Sequence, residues 1–195
     1  MMPLPLIPIS VETPFQQYGL DFIEEINPIS LGQHTWILTI TDYFTKWVEA
    51  IPTRLATETV IIDFLLSNIL ARFRCPRKII KDNAKAFTSS KLVKFCIDYN
   101  IILSHSTAYY PQGDGLAESS NKSLVRTIKK LLQDNKKAWH SKLVYALWEN
   151  RVSTKKSIGT SPFKFVYGTN VIFPASLGMP VMKYIQEENS ELNPT

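Results

Sequence analysis

Ile79-Ile80-Lys81-Asp82-Asn83-Ala84-Lys85-Ala86-Phe87 ends a short apolar run, Pro76 to Lys81, on an aspartate. The run reads as a strand and Asp82 as the residue it delivers at its end. Upstream, Tyr18-Gly19-Leu20-Asp21-Phe22-Ile23 repeats the pattern: residues 17–24 read as a first strand carrying Asp21. Downstream, Tyr110-Pro111-Gln112-Gly113-Asp114-Gly115-Leu116-Ala117-Glu118-Ser119-Ser120-Asn121-Lys122 places a third acid 36 positions after Asp82. Two strand-borne aspartates and a helix-borne glutamate can converge on a pair of divalent cations, an arrangement suited to phosphoryl transfer on nucleic acid. Spacing alone is weak support. The chain has 17 acids, and separations of this kind recur by chance.

The intervening sequence supplies the remaining elements. Thr35 to Thr41 is β-branched and aromatic and reads as a second strand; Lys46 to Ile51 reads as a third, joined by a hairpin at Asp42-Tyr43-Phe44-Thr45 and ended by Pro52. Thr57 to Ala71 has apolar residues at helical spacing behind a Thr57 cap. A second helix runs from Ser89 or Ser90 to Tyr99, and Ile101 to Leu103 reads as a buried-type strand. Tyr109 to Gly115, with Pro111, Gly113 and Gly115, reads as a loop with hinge capacity. A long helix follows over about Leu116 to Asp134, with Glu118 in its first turn, where an acid also suits the helix dipole. At 3.6 residues per turn, Glu118, Lys122, Arg126 and Lys129 fall within about 80° of one another, opposite Leu124, Val125, Ile128, Leu131 and Leu132. The three cations suit phosphate contact, though a solvated helix face has the same composition. Ala138 to Val152 forms another helix.

These motifs resemble the D,D-35-E catalytic core of retroviral and retrotransposon integrases, most closely the Ty3/gypsy branch and its plant elements. Ile40-Thr41-Asp42-Tyr43-Phe44-Thr45-Lys46-Trp47-Val48-Glu49-Ala50 and Thr160-Ser161-Pro162-Phe163…Tyr167-Gly168 extend the likeness over about residues 9–180. The resemblance implies an α/β chain of ribonuclease H-like fold, a mixed five-stranded sheet flanked by helices. Pro3, Pro5, Pro8 and Pro14 mark 1–14 as an extended lead-in, and the polar stretch 183–195 makes the extension at 169–195 partly disordered; between them the resemblance implies a core over 15–168. It also implies DNA end processing and strand transfer with two Mg²⁺ (or Mn²⁺) ions per site. Asp21 would bridge the ions, Asp82 would complete one site and Glu118 the other.

DNA is the implied partner, with Gln112, Asn121, Lys122, Arg126 and Lys129 as contacts, and a homodimer or higher oligomer is expected. Tyr109 and Tyr110 are placed equally well against DNA or in packing. The four tryptophans read as core or subunit contacts, and the three histidines take no ligand role. Asp42, Asp63 and Glu149 read as solvated or structural.

Four positions depart from the family pattern: Lys81 where Thr or Ser is common, Ala84 where Gly is common, Tyr110 where His is common and Ser119 where Arg is common. Lys81 and Ala84 motivate an alternative reading, a catalytically impaired or domesticated DNA-binding relic. A ribonuclease H-like nuclease is a second alternative, which lacks a fourth acid near the Glu118 motif. Family members carry an upstream His/Cys zinc module and a downstream β-rich domain. These 195 residues hold neither, so a core that integrates poorly by itself is expected.

Bulk properties agree with this reading without requiring it. A net charge of +5 and a pI near 9.1 suit a polyanionic partner. Cys75 and Cys96 lie in dissimilar settings and read as reduced thiols. The N-terminal apolar run is proline-broken and lacks a signal peptide's basic start. No small-molecule substrate and no membrane are expected. Action on DNA implies a nuclear location, and a cytoplasmic one otherwise.

Overall fold

The structure is a computed structural model that describes residues 13–23, 26–82, 84–105, 111–132 and 135–172, with the side chains of 111–119 outside the description. Most of the lead-in and of the C-terminal extension therefore lies outside the described residues, as do Tyr109 and Tyr110.

Five strands form one mixed sheet: β1 (Gln17–Ile23), β2 (Trp36–Asp42), β3 (Val48–Thr53), β4 (Lys78–Lys81) and β5 (Ile102–His105). Their order is β3-β2-β1-β4-β5. β1, β2 and β3 form an antiparallel meander, and β4 and β5 add in parallel to β1. Alternation along each strand sorts side chains to two faces. Tyr18, Leu20 and Phe22 of β1, with Leu38, Ile40 and Ile79, pack in one core under α1 (Glu58–Phe64) and α2 (Ser90–Asp98). Ile37, Val48 and Ala50 face the other way, under α3 (Pro111–Leu131) and α4 (Trp139–Val152). The sheet is thus covered on both sides by helices.

Local chemistry explains most boundaries. Thr57 caps α1 by accepting from the Val60 amide, and Ser89 caps α2 by accepting from the Leu92 amide. α1 runs on as a π-helical stretch, Leu65–Leu70. Ile61, Leu65 and Ile69 recur at four-residue intervals and are all buried, and the wider turn keeps the last of them on the core. α5 (Pro162–Tyr167) starts at a Ser161 cap with proline at its first position and ends at Gly168. Gly168 has a φ of 73°, a left-handed conformation that glycine adopts without strain.

Four expectations are corrected. β3 runs through Pro52, paired with Ile37. It is the outer strand, where a missing amide proton can face away from the ladder. β5 is likewise an edge and not a buried strand: Ile102 is 54% exposed, while Ile101 before it is buried. The stretch expected to be a loop is helical from Pro111, and Gly113 and Gly115 lie within α3. Proline suits the first helical position, and helix continuity outweighs about 1 kcal/mol for each interior glycine. Glu118 consequently sits about two turns into α3 and not in its first turn. The dipole benefit fades within one turn, so it no longer accounts for an acid there. Asp42 and Glu149 are both buried, in line with the structural one of their two expected roles.

Candidate active site

The register of two neighbouring parallel strands sets the site. Leu20 pairs with Lys81, so Asp21 and Asp82 are the next residues on β1 and on the chain leaving β4. Both fall on the sheet face covered by α3, opposite Leu20 and Lys81. Gly19, one step of the same face earlier, lies against the Tyr43 ring. A Cβ there would stand 2.8 Å from Tyr43 Oη and 2.9 Å from its Cε1. Any side chain at position 19 would displace a buried tyrosine beside the site.

Asp82 is exposed, and its Oδ1 accepts from the Ala84 amide at 2.9 Å. This Asx-type turn fixes the chain direction just after the strand. Ala84 has φ −57° and ψ 139°, an extended conformation open to any residue, so glycine is not needed. Lys81 turns to the opposite face. It is 2% exposed, and its Nζ lies 3.2 Å from Nδ1 and 3.4 Å from Nε2 of His105. Burial lowers the Lys81 pKa, against an opposing pull from Asp82. Neither departure from the family pattern obstructs the acid pair.

α3 packs on β1, β2 and α4, and Asn121 joins it to Asp21. The Asn121 Nδ2 donates to Asp21 Oδ2 at 2.6 Å. Its Oδ1 accepts from Thr39 Oγ1 at 3.1 Å, and the same hydroxyl lies 3.2 Å from the Asp21 carbonyl oxygen. Asn121, expected at the DNA surface, is 8% exposed with its amide engaged inward. Glu118 precedes it by three residues, on the same helix face; its side chain, like that of Gln112, lies outside the described residues.

From Asp21 an open cleft of about 730 Å³ runs along α3. Ile23, Asn121 and Val125 help line it, and Lys122, Arg126, Lys129 and Lys130 supply four cations. Lys122, Arg126 and Lys129 are exposed. Thus the structure gathers Asp21, Asn121 and the three expected cations at one cleft, and places Asp82 just past the end of the adjacent strand. Two participants were missed. Lys130 continues the four-residue series from Lys122 and Arg126, a signal present in the sequence. Thr39 meets Asp21 only through pairing of β1 with β2, which no local pattern announces.

Residues 12–111 match the family model described as integrase core domain. The chain belongs to the integrase core domain family. The Gag-Pol polyprotein of avian reticuloendotheliosis virus is 34% identical over 155 residues, covering 80% of this integrase core and 13% of that protein. The core thus spans a small fraction of the length of that curated relative. Among solved structures, the catalytic core domain of HTLV-2 integrase, a trimeric form in complex with magnesium, superimposes with a TM-score of 0.61. It shares 23% identity, with 77% of this chain and 95% of that one covered. A simian T-cell lymphotropic virus intasome in complex with a PP2A regulatory subunit gives 0.63 at 20% identity, covering 92% and 62%. These neighbours establish the ribonuclease H-like fold of the core.

The acids fit a hard divalent cation by donor type, since Mg²⁺ and Mn²⁺ prefer carboxylate and water oxygens. Among the described residues, which do not include the Glu118 side chain, no three His, Cys, Asp or Glu side chains cluster. Both cysteines are free, and thiolates are in any case poor ligands for such ions.

Proposed function

We propose that this integrase core processes and joins DNA ends with Asp21, Asp82 and Glu118 as ligands of two Mg²⁺ or Mn²⁺ ions. The observation that carries the reading is the parallel register that sets Asp21 and Asp82 side by side on the face covered by the Glu118 helix. When bound, such ions clamp the attacking and leaving oxygens of an in-line displacement. The protein's own part is positional. β1 and β4 hold two carboxylates on a rigid sheet, α3 brings the third, and the cation-lined cleft holds the phosphate backbone beside them. No protein nucleophile is required, because water or a DNA 3′-hydroxyl attacks.

The source element is proposed to be of the Ty3/gypsy branch, on the motifs quoted above. The partners are DNA ends, target DNA and further copies of the chain, with action in the nucleus and a cytoplasmic location otherwise. Exposed Val144 and Tyr145 on α4 support self-association.

The test is a labelled element-end duplex incubated with Mg²⁺ or Mn²⁺. Asp82→Asn should cut nicking and strand transfer by more than the ~10–100-fold typical of losing an outer-shell partner. Equal activity in Asp82→Asn would overturn the assignment.

A further inference from the structure

The cleft contains a buried hydrogen-bond chain that the metal ligands do not explain. Thr39 on β2, Asn121 on α3 and Asp21 on β1 are joined by contacts of 3.1 and 2.6 Å. The orientation of the Asn121 amide follows from its partners. An ionised carboxylate can only accept, so the nitrogen faces Asp21 and the oxygen is left for the Thr39 hydroxyl. That hydroxyl has one proton and two acceptors in reach, Asn121 Oδ1 and the Asp21 carbonyl oxygen. The Asn121 amide therefore holds the Asp21 side chain, and the Thr39 hydroxyl shares its one proton between the Asn121 amide oxygen and the Asp21 backbone carbonyl.

We infer that Thr39 and Asn121 are positioning residues that orient the Asp21 carboxylate for metal binding. This rests on the reading of Asp21 as a metal ligand. Three physical points support it. Asn121 is 8% exposed and Thr39 1% exposed, so the pair is shielded from competing water. A neutral amide fixes a carboxylate rotamer without adding positive charge, whereas a lysine or arginine there would neutralise the ligand and repel a cation. Moreover, the chain crosses three elements. It pins α3 against β1 and β2 one turn after Glu118, so the same bracket sets the height of the glutamate's helical turn over the sheet.

The experiment titrates Mn²⁺ into the 195-residue chain without DNA, following the electron paramagnetic resonance signal of free Mn²⁺. Asn121→Ala should raise the apparent Kd by ~10–100-fold, the usual effect of losing an outer-shell partner. Thr39→Val should raise it by a smaller factor, because the amide remains but is no longer held, and Thr39→Ser should restore it. Metal-free DNA affinity and its salt dependence should stay as in the parent chain, which a DNA-contacting asparagine would not allow. Unchanged Mn²⁺ affinity in Asn121→Ala overturns the inference, as does a loss of metal-free DNA binding in its place. Thermal melts accompany each variant; if Asn121→Ala does not fold, the Thr39→Val and Thr39→Ser pair decides. Asp21→Asn separates the two levels. If it binds Mn²⁺ like the parent, the ligand reading itself fails; if it loses Mn²⁺ while Asn121→Ala does not, only the positioning role fails.

Discussion

At the scale of single residues, the chain uses acids in two ways. Asp21 is only half-buried at the mouth of a cleft. Glu49 is 3% exposed and enclosed by cations: Arg72 Nη1 and Arg151 Nη2 each lie 3.0 Å from its Oε2, and Trp47 Nε1 donates to Oε1 at 2.8 Å. Its ligands are fixed protein donors, which leaves no room for a metal role. Arg151 also donates to the Val48 carbonyl and stacks over Trp47 at 4.5 Å. Glu49→Ala should cost about 3–5 kcal/mol in urea unfolding, because it leaves a largely buried guanidinium uncompensated. Lys122 poses a question of binding. Lys122→Ala should reduce the slope of log affinity against log salt on duplex DNA by about 0.9 if it meets one phosphate. An unchanged slope and affinity would make the basic face of α3 a solvated surface only.

At the scale of elements, α3 and α4 act together. They cover the sheet face that bears the acids, and Trp139 at the start of α4 is fully buried between them and β2. Its Nε1 donates to the Pro28 carbonyl at 3.1 Å, which ties the β1–β2 connection to the helix pair. Trp139→Ala should lower stability by about 3–5 kcal/mol. Since α3 rests on α4, the variant should also weaken Mn²⁺ binding at temperatures where it remains folded. A loss of stability with intact metal binding would show that the sheet alone holds the site.

At the scale of the whole molecule, the apolar surface is unevenly covered. Val144 is 62% exposed and Tyr145 36% exposed on the outer side of α4, beyond the core that the rest of the helix joins. No helix among the described residues is long and apolar enough to cross a membrane. Contact between copies of the chain is the proposed cover for this surface. Val144→Asp should shift sedimentation toward the monomer at concentrations where the parent associates. A parent chain that sediments as a monomer at every concentration would remove the proposal. A net charge of +5 is of the sign that the proposed DNA partner requires over the same scale.

The sequence by itself determined the strands and helices whose signals are local. Thr57, Ser89 and Ser161 mark helix starts through side-chain caps, and β-branched runs mark the central strands. The proposed ligands Asp21, Asp82 and Glu118 were picked out by their motif contexts, and the shared face of Lys122, Arg126 and Lys129 by helical periodicity. Tertiary structure alone decided the rest, because it depends on partners distant in the chain. Pro52 continues β3 since its strand is an edge, and Ile102 is exposed for the same reason at the other side of the sheet. Lys81 and Asp82 are adjacent in sequence, but strand alternation sends one to His105 and the other to the opposite face, where Asp21 lies. Asn121 reads as one more polar residue on a basic helix face; only the pairing of β1 with β2, and the seating of α3 upon both, puts its amide between Thr39 and Asp21. Hydrogen bonds of this kind join residues 82 and 100 positions apart, beyond the reach of any local pattern, and are fixed only when the sheet and its covering helices pack.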